Sequence, residues 1–562
     1  MLLLPLLFSL QDTTPFVARP LTVAVGEGME TVTTVCGSPF KDYILEVNGG
    51  GLVVGDFDAD GAHDLIVIDG STLERARADE PGLPPRLLLN DGAGGFRQAS
   101  EPWSMAGGRW GTGGAAGDVD GDGDLDLVVT EWGADRLFLN DAHGGFVEAT
   151  DTAGLRGRAW GTSAALLDYD RDGQLDLTVI NYLSSRLDDI DDGTIASRES
   201  GQCRWKGLDV MCGPEGLDPL HDRLYRGGGD GTFADVSVAA GYRPQRAGFG
   251  LGVTTADYDA DGDTDLYVTN DSTPNFLWEN QGDGTFVEVG ERRRVAQDMN
   301  GKEQAGMGIA VADLNADGFS DYFVTNFSGE SNALYLSRPS PRRLTYNERA
   351  SQVRVGGPSI PYLGWGTGFA DFDHDGDLDL FVLNGHVYPQ ADGVGTDTTY
   401  AQADQLFRNV GTAEQPRFEL EALDASSPRV SRAGAPADID GDGDLDLFAV
   451  ELDGSVHVLE NVGAEGHWLR VRLRGRGGNT EAIGARVELV EGDRSIQREI
   501  RTSGGFQAGI PAEAHFGLGA NADAVDLRVH WPSGVVSVHE ELAVDAIVTL
   551  DEPAEESMED EE

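Results

Sequence analysis

The stretch DVDGDGDLDLVVTEW, residues 118–132, sets five carboxylates within nine residues and then runs directly into a β-branched apolar segment. Like charges 4 Å apart repel by about 1 kcal/mol in water and by about 4 kcal/mol at the effective dielectric of a protein surface. Such a loop calls for a cation among its side chains, and the residues after it call for a strand.

The motif recurs along the chain. Aligned on its first Asp, it reads DFDADGAHD from Asp56, DVDGDGDLD from Asp118, DYDRDGQLD from Asp168, DYDADGDTD from Asp257, DLNADGFSD from Asp313, DFDHDGDLD from Asp371 and DIDGDGDLD from Asp438. Successive copies start 62, 50, 89, 56, 58 and 67 residues apart. A Gly-rich apolar segment such as WGTGGAAG or WGTSAALL precedes the loop, and a run such as LDLVVT or LDLFVL follows it. Most copies continue through an Asn/Asp/Gly cluster between two apolar runs, as in LLLNDGAGGF and LWENQGDGTF, which is hairpin-turn chemistry. Each unit is therefore strand, acidic loop, strand, strand, turn, strand. Seven copies predict an all-β chain built as a seven-bladed β-propeller over residues 13–463, with a linear solenoid as the weaker reading. The seventh copy lacks a fourth strand after SVHVLENVG, so a segment near Phe16 is expected to supply it and close the ring. The 89-residue interval holds an insertion, roughly residues 183–220.

In D-x-D-x-D-G-x-x-D, side-chain oxygens at positions 1, 3, 5 and 9 converge on one cation, position 7 offers its carbonyl, and Gly at position 6 permits the turn. The candidate ligands are Asp56, Asp58, Asp60 and Asp64; Asp118, Asp120, Asp122 and Asp126; Asp168, Asp170, Asp172 and Asp176; Asp257, Asp259, Asp261 and Asp265; Asp313, Asn315, Asp317 and Asp321; Asp371, Asp373, Asp375 and Asp379; and Asp438, Asp440, Asp442 and Asp446. An EF-hand needs Glu at position 12, where this chain has only Val or Ala. All-oxygen ligands of high charge point to Ca²⁺, up to seven ions, rather than to Mg²⁺ or a transition metal. One such loop alone reads equally well as an Asp-rich turn; seven in phase with a strand repeat favour metal.

Composition narrows the partners. A formal net charge of −56 over 562 residues excludes nucleic acid as the expected ligand. The first residues, MLLLPLLFSLQD, read as an export signal over 1–12, too short to span a bilayer. Of three cysteines, Cys203 and Cys212 bracket a short loop that reads as a disulfide in an oxidising compartment, since a metal site would want four ligands. Cys36 is left over. Residues 464–551 alternate apolar and polar positions and predict a small antiparallel β-sandwich, and 552–562 is too acidic to pack.

The loop with its flanks resembles the FG-GAP/VCBS repeat of integrin α-subunit propellers. The motifs IGARV from Ile483, FGLG from Phe516 and WPSG from Trp531 resemble the ASPIC/UnbV domain. With KDYILEVNGGG, CGPEGL and NGHVYP added, the whole chain is similar to the cartilage acidic protein family, bacterial members included. Two departures stand out: Asn315 at position 3 of the fifth loop, which should weaken that site, and Ala62-His63 in the first.

The resemblance implies an exported, non-enzymatic, calcium-dependent binding or adhesion module whose partner is an extracellular protein or glycan. The alternative is a carbohydrate-binding or glycan-cleaving propeller. Its motive is the recurrent large residue ahead of the loop: Trp110, Trp160, Phe249, Met307 and Trp365, a candidate ligand surface if they line a channel or rim. The competing reading makes them inner-strand core residues. No catalytic residue is expected: G-x-S-x-G and H-E-x-x-H are absent, and His386 in NGHVYP is read as a turn residue.

Overall fold

The computed structural model describes residues 15–25, 28–99, 105–141, 145–155, 159–340, 343–412, 414–424, 428–491 and 494–554. The expected export signal at 1–12 and most of the expected acidic tail lie outside them.

Seven antiparallel four-stranded units follow one another along the chain. Their innermost strands are Leu52–Gly55, Gly111–Gly117, Ala159–Leu167, Gly250–Ala256, Ile309–Ala312, Gly364–Ala370 and Ser431–Ala437. Each packs beside the next, and the last packs beside the first, so the units close into a propeller ring. Closure uses both ends of the repeat region. Phe16–Pro20 pairs antiparallel with Val456–Asn461, with Phe16 opposite Asn461, and supplies the outer strand of the seventh unit. Blades two and three are also joined directly, because Ala159 and Trp160 pair with Gly133 and Trp132.

The inner strands are rich in Gly and Ala because they converge on the ring axis, where there is no space for large side chains except at one level. At that level Trp110, Trp160, Phe249, Met307 and Trp365 belong to one buried cluster with Phe506 at its heart. None of the five is more than 7% exposed. They are therefore not the ligand surface that the alternative reading requires; they are the central core.

Phe506 comes from the C-terminal domain, which enters the ring. The segment 502–511 reaches down the axis: Leu52 N donates to Gln507 O at 3.1 Å, Val253 N to Gly505 O at 2.8 Å, and Gln507 N to Ser163 Oγ at 2.9 Å. Ala508 and Gly509 pair in parallel with Leu52 and Val53. Gly505 has φ +86°, and its Cα faces the backbone of Ile309, so a side chain would fit neither the conformation nor the space. Phe506 is fully buried with its ring 5.0 Å from that of Trp365. Arg432 lies 4.1 Å over the same indole and donates to Val47 O, Gly385 O and Ser431 O. Arg432 stands six residues before Asp438, the offset that Met307 and Trp365 have from their own loops, so it is the seventh blade's counterpart of the aromatic series.

The acidic loops follow the inner strands and mark one face of the ring; the Trp level lies near the other. There the insertion caps the axis, with Leu183, Ile190, Ile195, Val210 and Met211 joining the central cluster beside Ile44, Leu45 and Val47. Cys203 and Cys212 are bonded, with Cα atoms 5.3 Å apart.

The C-terminal domain is a sandwich of two sheets. One orders Glu513–Gly519, His467–Arg474 and Ala546–Asp551; the other orders Arg494–Glu499, Arg486–Glu491, Val525–His530 and Val536–Leu542. The antiparallel expectation fails in one place: His467–Arg474 and Ala546–Asp551 run parallel, because the chain crosses the second sheet before returning to the first. Glu552, expected in the unpacked tail, is instead buried and accepts from Arg476 N and the Ser533 hydroxyl.

Removing the ring of Phe506 should expose this shared core. The variant Phe506→Ala is expected to lose about 3–5 kcal/mol of stability. Scanning calorimetry of the wild type should show propeller and sandwich melting together, and two separated transitions in the wild type would contradict the interlocked core.

Candidate metal centres on the propeller face

Within every loop the backbone is folded around its own carboxylates. Asp56 accepts from Asp60 N at 3.0 Å and Gly61 N at 2.9 Å; Asp118, Asp168, Asp257 and Asp313 repeat this pair of bonds at positions 5 and 6. The position-9 Asp opens the second strand and is almost inaccessible, 0–2% exposed in all seven blades. It ties three parts of the blade together. One oxygen accepts from the third strand: from Asn90, Asn140, Gly227, Asn280, Ser337, Asn409 and Asn461 N, in blade order, at 2.6–2.9 Å. The other accepts from the loop's second residue in six blades. In the sixth, Arg408 Nη1 takes that oxygen of Asp379 at 2.5 Å.

Carboxylate oxygens from three of the four expected positions converge in the following loops. Atoms of Asp56, Asp58 and Asp64 lie within 4.8 Å of one another, as do those of Asp118, Asp120 and Asp122, of Asp168, Asp170 and Asp176, of Asp257, Asp259 and Asp265, and of Asp371, Asp373 and Asp375. The position-3 Asp gives the sharper signal. Oδ1 of Asp58, Asp120, Asp170 and Asp259 is a buried acceptor with no hydrogen-bond partner, the same atom in four successive loops. An orphaned buried carboxylate oxygen is costly, and one placed beside two further carboxylates fits a cation. Burial pushes Asp64 up to about 7 and Asp126, Asp176 and Asp446 up to about 8, so these loops resist full ionisation when no cation balances them.

The seven loops are not equivalent. In the third, Arg226 pairs with Asp170 at 2.8 Å and Asp172 at 2.6 Å. In the fifth, Ser337 Oγ donates to Asp317 Oδ2 at 2.5 Å and Asn315 Nδ2 approaches the same hydroxyl at 3.2 Å, so positions 3 and 5 are already engaged. In the seventh, the Arg470 guanidinium sits 2.8 Å from Asp438 Oδ2, both groups buried.

Arg470 belongs to the sandwich, which covers the loop face. Thr480 Oγ1 donates to Asp118 Oδ2, Asp257 N donates to Glu499, Gly517 N donates to Asp371 Oδ2, and Gly478 N donates to Gly173 O. His374, at an interior position of the sixth loop, is buried with its ring 5.2 Å from that of His515. Of these sandwich residues only Gly517, in the FGLG motif, carried a sequence signal, and that signal did not point to the loop face.

In the sequence the Asn of the LND, WEN and LEN segments reads as turn chemistry alone. The structure gives it a second task. Asn90, Asn140, Asn280 and Asn461 each donate from Nδ2 to the second residue of the preceding blade's loop, Ile439, Phe57, Tyr169 and Phe372 O respectively, at 2.7–3.0 Å. They staple neighbouring blades at the loop face.

His386 is buried. Its Nδ1 accepts from Tyr388 N at 3.0 Å, and Nε2 contacts Ser328 Oγ at 3.0 Å. Burial pulls the imidazole down to about 3. With Nδ1 accepting in the neutral ring, Nε2 carries the hydrogen, so the ring has no lone pair to offer the Ser328 hydroxyl.

Comparison with known proteins agrees with this division. The FG-GAP-like repeat model matches residues 56–129, 118–179, 208–268, 257–324 and 313–382, and the ASPIC and UnbV model matches 475–557. Cartilage acidic protein 1 of Mus musculus is 31% identical over 334 residues, 57% of this chain and 48% of that protein. Its Homo sapiens counterpart is 31% identical over 333 residues, 57% and 46%. The chain thus spans about half the length of the curated relatives it matches. Among solved structures, the BP39L lectin from Burkholderia pseudomallei aligns at TM-score 0.41 and 14% identity, covering 75% of this chain and 98% of the lectin. An Agrocybe aegerita lectin aligns at TM-score 0.38 and 14%, covering 74% and 95%.

The blade staple is directly testable. Asn140→Ala removes donors to Phe57 O and Leu125 O and leaves buried carbonyls unpaired, an expected loss of about 1–3 kcal/mol in urea unfolding. An unchanged midpoint would mean that the blades are held without it.

Proposed function

The chain belongs to the FG-GAP-like repeat family, and from that premise we propose that it is an exported calcium-binding scaffold that recognises an extracellular protein or glycan without catalysing a reaction. The observation that carries the calcium reading is the recurrent orphan, Oδ1 of Asp58, Asp120, Asp170 and Asp259. A hard divalent ion with oxygen ligands suits those atoms together with their neighbours at positions 1, 5 and 9. Loops one and two are the strongest candidates, because they gather three carboxylates without the contacts at positions 3 and 5 found in the third and fifth, or the arginines that approach position 3 in the fourth (Arg293 to Asp259, 3.9 Å) and the sixth (Arg408 to Asp373, 3.2 Å). The ion would supply charge neutralisation and would rigidify the loop face. It would not need to activate a substrate.

Export is supported by the Cys203–Cys212 bond in the insertion, since such bonds persist in oxidising compartments. No helix among the described residues is long and apolar enough to cross a membrane. The non-enzymatic reading is supported by His386, buried and donating rather than accepting toward Ser328.

Metal counting on the dialysed protein should give several Ca²⁺ per chain, and thermal unfolding should shift upward by many degrees between EGTA and calcium. Each site held at a hundredfold over its dissociation constant adds about 2.7 kcal/mol. Asp120→Asn should remove about one equivalent of calcium with the others retained. A protein that binds no calcium and shows no shift would reduce the loops to acidic turns.

A further inference from the structure

A cavity of about 470 Å³ lies where the sandwich meets the fourth to sixth blades, with Arg486, Arg498, Arg501, His530, Trp531 and Phe369 among its walls. In a chain with 41 basic residues against 97 acidic ones, this space gathers four arginines, Arg171 being the fourth, beside six acids. Two of the arginines are incompletely satisfied. Arg498 donates from Nε to His515 O at 3.2 Å and from Nη1 to Gln497 O at 3.0 Å, while its buried Nη2 has no partner. Arg486 Nε is buried without a hydrogen bond; the carboxylate it approaches, Glu488, is 3.9 Å away. Glu488 is itself occupied by Arg528 Nη1 at 3.1 Å and Gln497 Nε2 at 3.2 Å. His530 Nε2 makes no hydrogen bond and stands 3.4 Å from the same carboxylate. Burial pulls Arg498 down to about 10 and lowers Arg501 as well, the mark of cations short of acceptors.

The acids that reach this space have other obligations. Asp257, Asp313 and Asp371 are the first residues of loops four to six and accept the loop's own Gly262, Gly318 and Gly376 N–H groups. Glu499 accepts from Asp257 N. Glu513 is engaged by His63, Arg470 and Arg472, and Glu499 faces Arg501, so once cations occupy the loops Arg486 and Arg498 carry the surplus charge.

We propose that this cavity binds a small organic carboxylate, its oxygens taken by Arg486, Arg498 and Arg501 and its carbon skeleton packed against Trp531 and Phe369. Guanidinium forks match the planar pair of carboxylate oxygens, and the aromatic wall suits an organic body where an inorganic anion would leave it bare. The mouth is open to solvent at residues 260–262 and 534–536, all exposed except Val535, which is half-buried. The assignment rests on the calcium reading, which relieves the competing acids.

Calorimetric titration of the calcium-loaded full chain with sodium succinate, citrate and glucuronate, and separately with inorganic phosphate, tests it. The expected result is one saturable site per chain for at least one carboxylate, weakened tenfold or more in Arg486→Gln and in Arg501→Gln. Should those variants fail to fold, Val536→Trp at the exposed mouth is expected to block the same binding. Absence of saturable binding by all three carboxylates, phosphate binding as tightly as any of them, or unchanged affinity in the variants would each overturn the proposal. Calcium counted on the same samples separates the two readings. Carboxylate binding by a chain that holds no calcium would sink the metal reading alone, and calcium binding with no carboxylate uptake would sink the cavity alone.

Discussion

The structure depends on a buried carboxylate that closes every blade: the position-9 Asp, with one oxygen bonded to the third strand and the other to its own loop in six blades and to Arg408 in the sixth. Placing an acid at the root of a strand is unfavourable unless its oxygens are fully engaged. All seven repeats satisfy one oxygen with a third-strand backbone N–H, which remains available whatever residue that strand carries. This is why Gly227 and Ser337 serve where five other blades use Asn. The remaining carboxylates crowd outward from that anchor, and the unmatched oxygen at position 3 is left where a cation would complete the loop.

The same face explains how the two domains are joined. A ring of acidic loops needs counter-charge and donors, and the sandwich brings Arg470, Thr480, Gly517 and the arginines of the cavity to it. The segment 502–511 then continues down the axis to seat Phe506 among the tryptophans. The sandwich is both cover for the loops and core for the propeller. With the insertion closing the opposite side, the ring axis is filled, and any ligand must be met on an outer surface or at the seam between domains.

The repeat, the four-strand unit and the disulfide loop were legible in the sequence because each is a local pattern, and the ring-closing strand near Phe16 because the seventh copy lacks its fourth strand. Strand alternation, a turn glycine and a nine-residue ligand spacing are set by neighbours in the chain. The aromatic series was legible as a series but not as a core, since its offset from the loop says which face of the strand it occupies and not what stands opposite. The Asn staples were visible as residues and hidden as contacts, because the carbonyls they reach lie 83 to 349 residues away.

By itself, then, the sequence determined the blade, its number of copies and the chemistry of its loops, all consequences of backbone geometry and residue spacing over tens of residues. Tertiary structure decided the rest: that Phe506 fills the axis, that Arg432 replaces an aromatic in the seventh blade, that two terminal strands of the sandwich run parallel, and that arginines from one domain gather over acids of another. Those contacts join positions far apart in the chain, and they are selected by the shape and charge left uncompensated once each domain has formed, which no local spacing encodes.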